Sequence, residues 1–209
     1  MISFDLFSIG HSNLAADRFA AMLGAAGAEA VADVRSVPAS RFCPWFSAKN
    51  LAPLLARDNI AYLPFGDALG GRPRDASLYC DGIANYEAMA RAPSFLAGLD
   101  RLIAGTARHR LCLMCSERDP LDCHRCLLVA RALAARGLTV RHILYDGAIE
   151  RMRRPKRGFL CSKRAGATFA TGQNERITAA YRRRARAVAF RNKGAIPAGR
   201  KRSADDGGR

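Results

Sequence analysis

Apolar runs of strand length alternate along this chain with amphipathic runs of helix length, the pattern of a parallel sheet whose strands are joined by helical crossovers. The first apolar run, about Phe4 to Ile9, leads into "GHSN". A helix is predicted from about Leu14 to Ala26, because Phe19, Met22 and Leu23 recur at helical spacing and Gly27 supplies a stop. "AEAVADVR" reads as a second strand, and Ser47 stands where it can cap a helix carrying Leu51, Leu54 and Leu55 to about Asp58. "IAYLPF" is a third strand ended by Pro64. The following "GDALGGRPRDASLYCDG" is rich in Gly, Pro and Asp and has no apolar period, which predicts a loop, either a functional lid or a plain insert.

Helical segments are predicted around Ile83 to Arg91 and from Ser94, a second candidate cap, to Ile103. "RLCLMC" is apolar on both alternating faces, as a central strand covered by helices on each side should be. A helix closed by Gly137 and a fifth strand, "TVRHILY", follow. Beyond Asp146 the pattern degrades. "NERITAAYRRRARAVAFRNK" offers Ile177, Tyr181 and Val188 along one side of a basic helix that is marginal unless docked, and "GAIPAGRKRSADDGGR" has the composition of a disordered end. The whole predicts a single α/β domain over residues 1–150, Rossmann-like and three-layered with a mainly parallel sheet. A basic, partly disordered extension over 151–209 follows it.

Charge sharpens that division. The net charge of +16 comes from 34 Lys or Arg against 18 acids. Residues 151–209 hold 18 of those bases and 3 of the acids, a balance of +15, which leaves 16 against 15 for residues 1–150, a balance of +1. A near-neutral body with a cationic extension points to a polyanion such as nucleic acid, held by Arg182, Arg183, Arg184 and Arg186 through counterion release; a solvated tail is the alternative. The opening "MISFDLFSIGHSN" lacks the form of a secretory signal, and no run approaches the roughly 18 apolar residues of a membrane span. A cytoplasmic protein without membrane contact is expected, with its seven cysteines reduced.

Uncommon polar residues gather at the carboxyl ends of the expected strands, where open parallel sheets bind ligands. Gly10, His11 and Ser12 follow the first strand, Asp33 and Arg35 close the second, and Cys115, Ser116 and Glu117 follow the fourth; Tyr145 and Asp146 end the fifth. The stretch "CLMCSERDPLDCHRC", Cys112 to Cys126, admits three readings. Two Cys-x-x-Cys pairs can supply four thiolates to zinc, but Cys112 and Cys115 lie three apart in a strand and face opposite ways. A dithiol couple usually sits at a helix start, which "CHRC" comes near, but Cys123 and Cys126 fall on one apolar stripe with Leu127, Ala130 and Ala134, the place of small core residues. The third reading is an anion-binding corner. A strand ends at Cys115, and a helix begins either with Asp119 as cap and Pro120 first, or with Asp122 as cap.

In that corner Cys115 is placed to act as nucleophile, and Glu117 and His11 are placed to move protons. Gly10, Ser12, Asp33, Arg35, Cys123, His124 and Arg125 are expected to bind the substrate, with Arg125 offering a fork suited to phosphate or carboxylate. No metal and no cofactor is expected. The bland alternatives are a surface salt bridge for Arg125 and a capping or carbonyl-satisfying role for His11.

"SIGHSN", "DVRSVPASR", "LPFGDALGG", "NYEAMA" and "LMCSERDPLDCHR", in that order, resemble the bacterial family named domain of unknown function 488, over about residues 4–146. The resemblance implies a compact α/β domain with motif positions at Gly10, His11, Ser12, Asp33, Arg35, Cys115, Glu117, Pro120, Cys123, His124 and Arg125, and implies little about activity. "VADVRSVP" and the strand-Cys-loop-helix order are also similar to rhodanese-like sulfurtransferases, although "CSERDPLDCHR" is acidic and interrupted by Pro120 where those enzymes have a short closed loop. The expected function is an enzyme acting on an anionic small molecule, a nucleotide or a nucleic-acid component. The rival is a non-enzymatic nucleic-acid-binding module anchored by the extension.

Overall fold

The computed structural model describes residues 6–151 and 173–192. Eight strands occur among them: β1 (Leu6–Gly10), β2 (Ala30–Asp33), β3 (Ala61–Pro64), β4 (Tyr79–Cys80), β5 (Ile83–Ala84), β6 (Leu111–Cys115), β7 (Val140–Ile143) and β8 (Ile149–Arg151). Six of them form one sheet in the order β3-β2-β6-β1-β7-β8, parallel except for β8, and β4 pairs with β5 in a separate hairpin. β6 is central, as its two-faced apolarity predicts.

Alternation along the strands builds a core on each face. Phe7, Ile9, Val31, Cys112 and Met114 face one way and pack with α1 (Ala16–Ala25) and α2 (Ala48–Arg57) through Phe19, Leu23, Leu51 and Leu55. Leu6, Ala30, Ala32, Leu111, Leu113 and Cys115 face the other way. They meet Leu69 of α3 (Gly66–Leu69), Met89 of α4 (Tyr86–Met89) and Leu99 of α5 (Pro93–Thr106). Leu127 and Leu133 join this core from a helix that begins as a π-helical stretch, Arg125–Ala130, and continues as α6 (Arg131–Ala134). The architecture is therefore a three-layer α/β sandwich. None of the described helices is long and apolar enough to cross a membrane.

Several local expectations need correction. "GDALGGRPRDASLYCDG" is not one loop: it holds α3, a 3-10 turn at Ala76–Leu78 and the first strand of the hairpin. Ile83 and Ala84 belong to that hairpin and not to a helix, and Asn85 caps the short α4 by accepting from Glu87 N and Ala88 N. Ser47 precedes α2, but its Oγ accepts from Ser40 N instead of capping. Ser94 lies inside α5, which starts with Pro93. β8 extends the sheet after a turn in which Gly147 has φ 95.

The extension is also more than a tail. A last helix, α7 (Gln173–Val188), docks on the body with Ala180, Tyr181, Ala185 and Ala189 buried. Beyond it, Ala84 N donates to Phe190 O and Asn192 N to Gly82 O, which adds a short antiparallel bridge to the hairpin. Residues 1–5, where the first strand was expected to begin, and most of the remaining extension lie outside the described residues.

Candidate functional site

The carboxyl ends of β1, β2 and β6 are laced together by backbone hydrogen bonds: His11 N donates to Cys115 O and Ser12 N to Ser116 O, both at 2.9 Å, and Val34 N to Met114 O at 3.0 Å. The segment after Cys115 lies flat across the end of β1. Gly10 permits it, since a Cβ there would overlap the Glu117 carbonyl oxygen and stand 2.9 Å from an Arg125 guanidinium nitrogen. Asp119 accepts from Leu121 N at 2.8 Å and caps a 3-10 turn, Pro120–Asp122. Cys123 is then extended, with φ -132 and ψ 141, and the following helix starts at His124 and Arg125. Its first amide groups turn inward: Arg125 N donates to Cys123 Sγ at 3.4 Å and Leu127 N to Cys123 O at 3.0 Å. This helix start thus directs its first amide to the protein's own sulfur.

Four reactive side chains meet here. The sulfurs of Cys115 and Cys123 lie 3.0 and 2.9 Å from one carboxylate oxygen, Oε2 of Glu117. His124 Nδ1 stands 3.7 Å from Cys115 Sγ and 3.8 Å from Cys123 Sγ. His124 Nε2 donates to Val34 O at 2.9 Å, which leaves Nδ1 to face the sulfurs. Gly71 backs the imidazole so closely that a Cβ would approach the ring to 2.8 Å. Cys115, Cys123 and His124 are buried, whereas Glu117 is a surface residue whose carboxylate turns inward.

The electrostatics divide the two thiols. Burial, together with the hydrogen bond to Cys123 and the nearby charges, holds Cys115 well above the usual thiol range. Burial also opposes charge on Cys123, but the Cys115 hydrogen bond, the Arg125 guanidinium and His124 outweigh it and hold that thiol well below. The environment thus favours negative charge on Cys123 over Cys115, the residue whose position suggests a nucleophile. Burial and the Cys123 charge raise the Glu117 carboxyl. For His124, the Cys123 charge and hydrogen bond overcome burial and raise the imidazole.

The other expected residues support this cluster from outside. Arg125 is wholly buried and donates to Glu117 O at 2.6 Å and Arg118 O at 3.1 Å, so its fork holds the loop. Arg35 is matched by Asp33, whose Oδ2 accepts from Nη2 at 2.6 Å and also from Tyr62 Oη at 2.7 Å. His11 donates from Nδ1 to Ser12 O and takes Arg35 Nη1 on Nε2, stacked on Phe46 at 4.3 Å; burial and Arg35 lower it to about 4. Both ring nitrogens are thus engaged within the protein, and burial favours the neutral imidazole. Ser12 has φ 46 and serves the same corner through its backbone.

A pocket of about 310 Å³ opens above the cluster, reached by Cys115, Glu117 and His124 and rimmed by Arg35, Arg72 and Phe190. Arg72 is the exposed cation at this mouth. Its amide donates to Ser36 Oγ at 2.9 Å, and its guanidinium lies 4.7 Å from the Phe190 ring centre. Sequence reading missed both residues. "GGRPR" signals a cation in a tight turn, but nothing local ties it to Phe190, more than a hundred residues away. The wall formed by Val188 and Phe190 comes from the extension.

The arginines expected to hold nucleic acid lie along the exposed side of α7, and most of them are paired with acids. Arg182 pairs with Glu87, Arg184 with Asp122 and Arg186 with Asp81, while Arg183 is exposed. Three of the four thus pair with acids of the body at the solvent edge of the helix, whose apolar side, Ala180, Tyr181 and Ala185, is buried. Six described cysteines are unpaired thiols. Cys112 and Cys115 fall in opposite cores, so the two Cys-x-x-Cys pairs do not form one cage.

Among known proteins, the model of one family, domain of unknown function DUF488, matches residues 15–132. The matched segment carries Asp33, Arg35, Gly71 and the whole Cys115–Arg125 stretch; Gly10, His11 and Ser12 precede it and α7 follows it. No curated protein and no solved structure matches the chain.

Proposed function

The chain belongs to the family described as domain of unknown function DUF488, and from the centre built by the matched segment we propose that it is an enzyme acting on an anionic substrate, a nucleotide or nucleic-acid component. One observation carries the reading: Cys115, Glu117, Cys123 and His124 converge beneath a pocket whose mouth presents Arg72. Arg72 attracts and orients the anion. Glu117 transfers the proton, because its carboxylate joins the buried cluster to the pocket. Unpaired thiols at the centre suit the reducing cytoplasm, where we place the protein. The nucleic-acid-module reading has less support, since Arg182, Arg184 and Arg186 are paired within the chain.

The test is direct. The full chain is incubated with a panel of nucleoside mono- and diphosphates and short single-stranded oligonucleotides, and products are separated by chromatography. At least one is expected to be converted. Glu117→Gln should lower that rate by about 10²-fold or more with binding retained, and Arg72→Ala should weaken binding about tenfold. Conversion of none of them, or turnover that survives Glu117→Gln, overturns the proposal.

A further inference from the structure

We infer that Cys115, Glu117, Cys123 and His124 form the binding site of a single zinc ion. One donor atom from each residue lies within 4.8 Å of every other, in a cluster assembled from the end of β6 and the start of the following helix. A tetrahedral zinc with Zn–S of about 2.3 Å and Zn–N of about 2.0 Å sets its sulfur and nitrogen ligands roughly 3.5 Å apart. The Nδ1 atom of His124 lies 3.7 and 3.8 Å from the two sulfurs. The Glu117 oxygen, at 3.0 and 2.9 Å from them, must withdraw by roughly half an ångström, and it sits on the surface side where there is room.

The surroundings are those a metal needs. A ligating histidine normally donates its other N–H to a carbonyl or carboxylate, which fixes the tautomer, and His124 Nε2 donates to Val34 O. Thiolate sulfur receives a backbone N–H from Arg125. Two thiolates and one carboxylate around Zn²⁺ leave one negative charge. The wholly buried guanidinium of Arg125 balances it, and its Nε has no hydrogen-bond partner among the described residues. Two sulfurs and an imidazole favour zinc over magnesium or calcium, which take oxygen ligands.

Burial also orders the ligands. Cys115, Cys123 and His124 form the floor, and Glu117 alone comes from the solvent side, below the pocket. The fourth position is thus the one that can exchange for water, which would free the Glu117 carboxylate for proton transfer and marks a catalytic zinc off from a sealed structural one. This last step rests on the enzymatic reading above; metal binding itself does not.

The test uses the full chain, stripped with a chelator and titrated with Co²⁺ and then Zn²⁺. A single equivalent of Co²⁺ should bind with strong thiolate-to-cobalt absorption, and a single equivalent of Zn²⁺ should abolish it. Cys115→Ser and Cys123→Ser should each remove about half of the absorption, one of two thiolates. Cys112→Ser and Cys126→Ser, which alter buried cysteines outside the cluster, should keep it. Should the first two variants not fold, X-ray absorption of the zinc-loaded parent chain decides, with two sulfur and two nitrogen or oxygen neighbours expected. A folded parent chain without thiolate-to-cobalt absorption, or a shell without sulfur or with four sulfurs, overturns the inference. Metal uptake without turnover counts against the enzymatic reading alone, and turnover by fully stripped protein counts against the zinc.

Discussion

The imidazole of His124 donates through Nε2 to the carbonyl oxygen of Val34 at 2.9 Å, so the residue just past the end of β2 decides which nitrogen the segment after β6 turns towards its thiols. Gly71 closes the ring from the other side. Gly71→Ala is expected to push the imidazole off this bond, lowering stability by about 1–3 kcal/mol and zinc affinity by about tenfold or more. Gly24→Ala is the control: its Cβ meets nothing within 4 Å in α1, and about 0.5–1 kcal/mol of stabilisation is expected there. Urea unfolding and cobalt titration of both variants check the pair.

Asp33 and Arg35 form a buried ion pair, 1% and 3% exposed, one strand away from the cluster. Asp33→Asn leaves the guanidinium buried without its counter-charge, and a loss of about 3–5 kcal/mol is expected. The double change Asp33→Leu with Arg35→Met should recover most of that loss, because it removes both desolvation costs together. Equilibrium unfolding of the two variants measures the difference.

The sheet was legible because strand periodicity is a property of the chain alone: Phe7 and Ile9, or Cys112 and Met114, face one core in any register that buries both faces. The polar residues at the strand ends were legible for the same reason. The segment 66–82 was not, since α3 follows from Gly66 and Gly70 packing against Arg35 and Ser36, a contact with no local trace. The helix start misled for a local reason. Asp119 and Pro120 are a sound capping pair, yet they begin only a 3-10 turn that extended Cys123 interrupts. Counting Cys-x-x-Cys pairs joined Cys112 to Cys115 by spacing, whereas the fold joins Cys115 to Cys123 through Glu117.

Two histidines give the fold an acid limit. Burial, with Arg35 as the next cause for His11 and Arg125 for His142, lowers each to about 4 from a usual 6.5. His142 faces Ser8 Oγ at 2.6 Å across β1 and β7. Because the folded values lie below the unfolded ones, the unfolded chain binds more protons between pH 6.5 and 4. Their contribution is therefore complete above pH 6.5 and is lost as pH falls through that window, by about 1.4 kcal/mol per pH unit for each proton. His142→Gln should make the pH dependence of the urea midpoint shallower.

Removing the extension is expected to damage the body and not merely to reduce its charge. Ending the chain at Arg151 uncovers the surface under Tyr181, Ala185 and Ala189 and removes the Phe190 wall of the pocket. Such a variant should unfold at lower urea and bind more of a hydrophobic dye than the full chain. Equal stability of the two would show that α7 is an accessory.

The most direct measurement is anomalous diffraction at the zinc edge from crystals of the full chain grown with zinc. One peak is expected among Cys115 Sγ, Cys123 Sγ, His124 Nδ1 and the Glu117 carboxylate, beneath the pocket that Arg72 rims. A map with no peak there, or with its peak on other residues, would contradict the assembly of these four side chains into one centre.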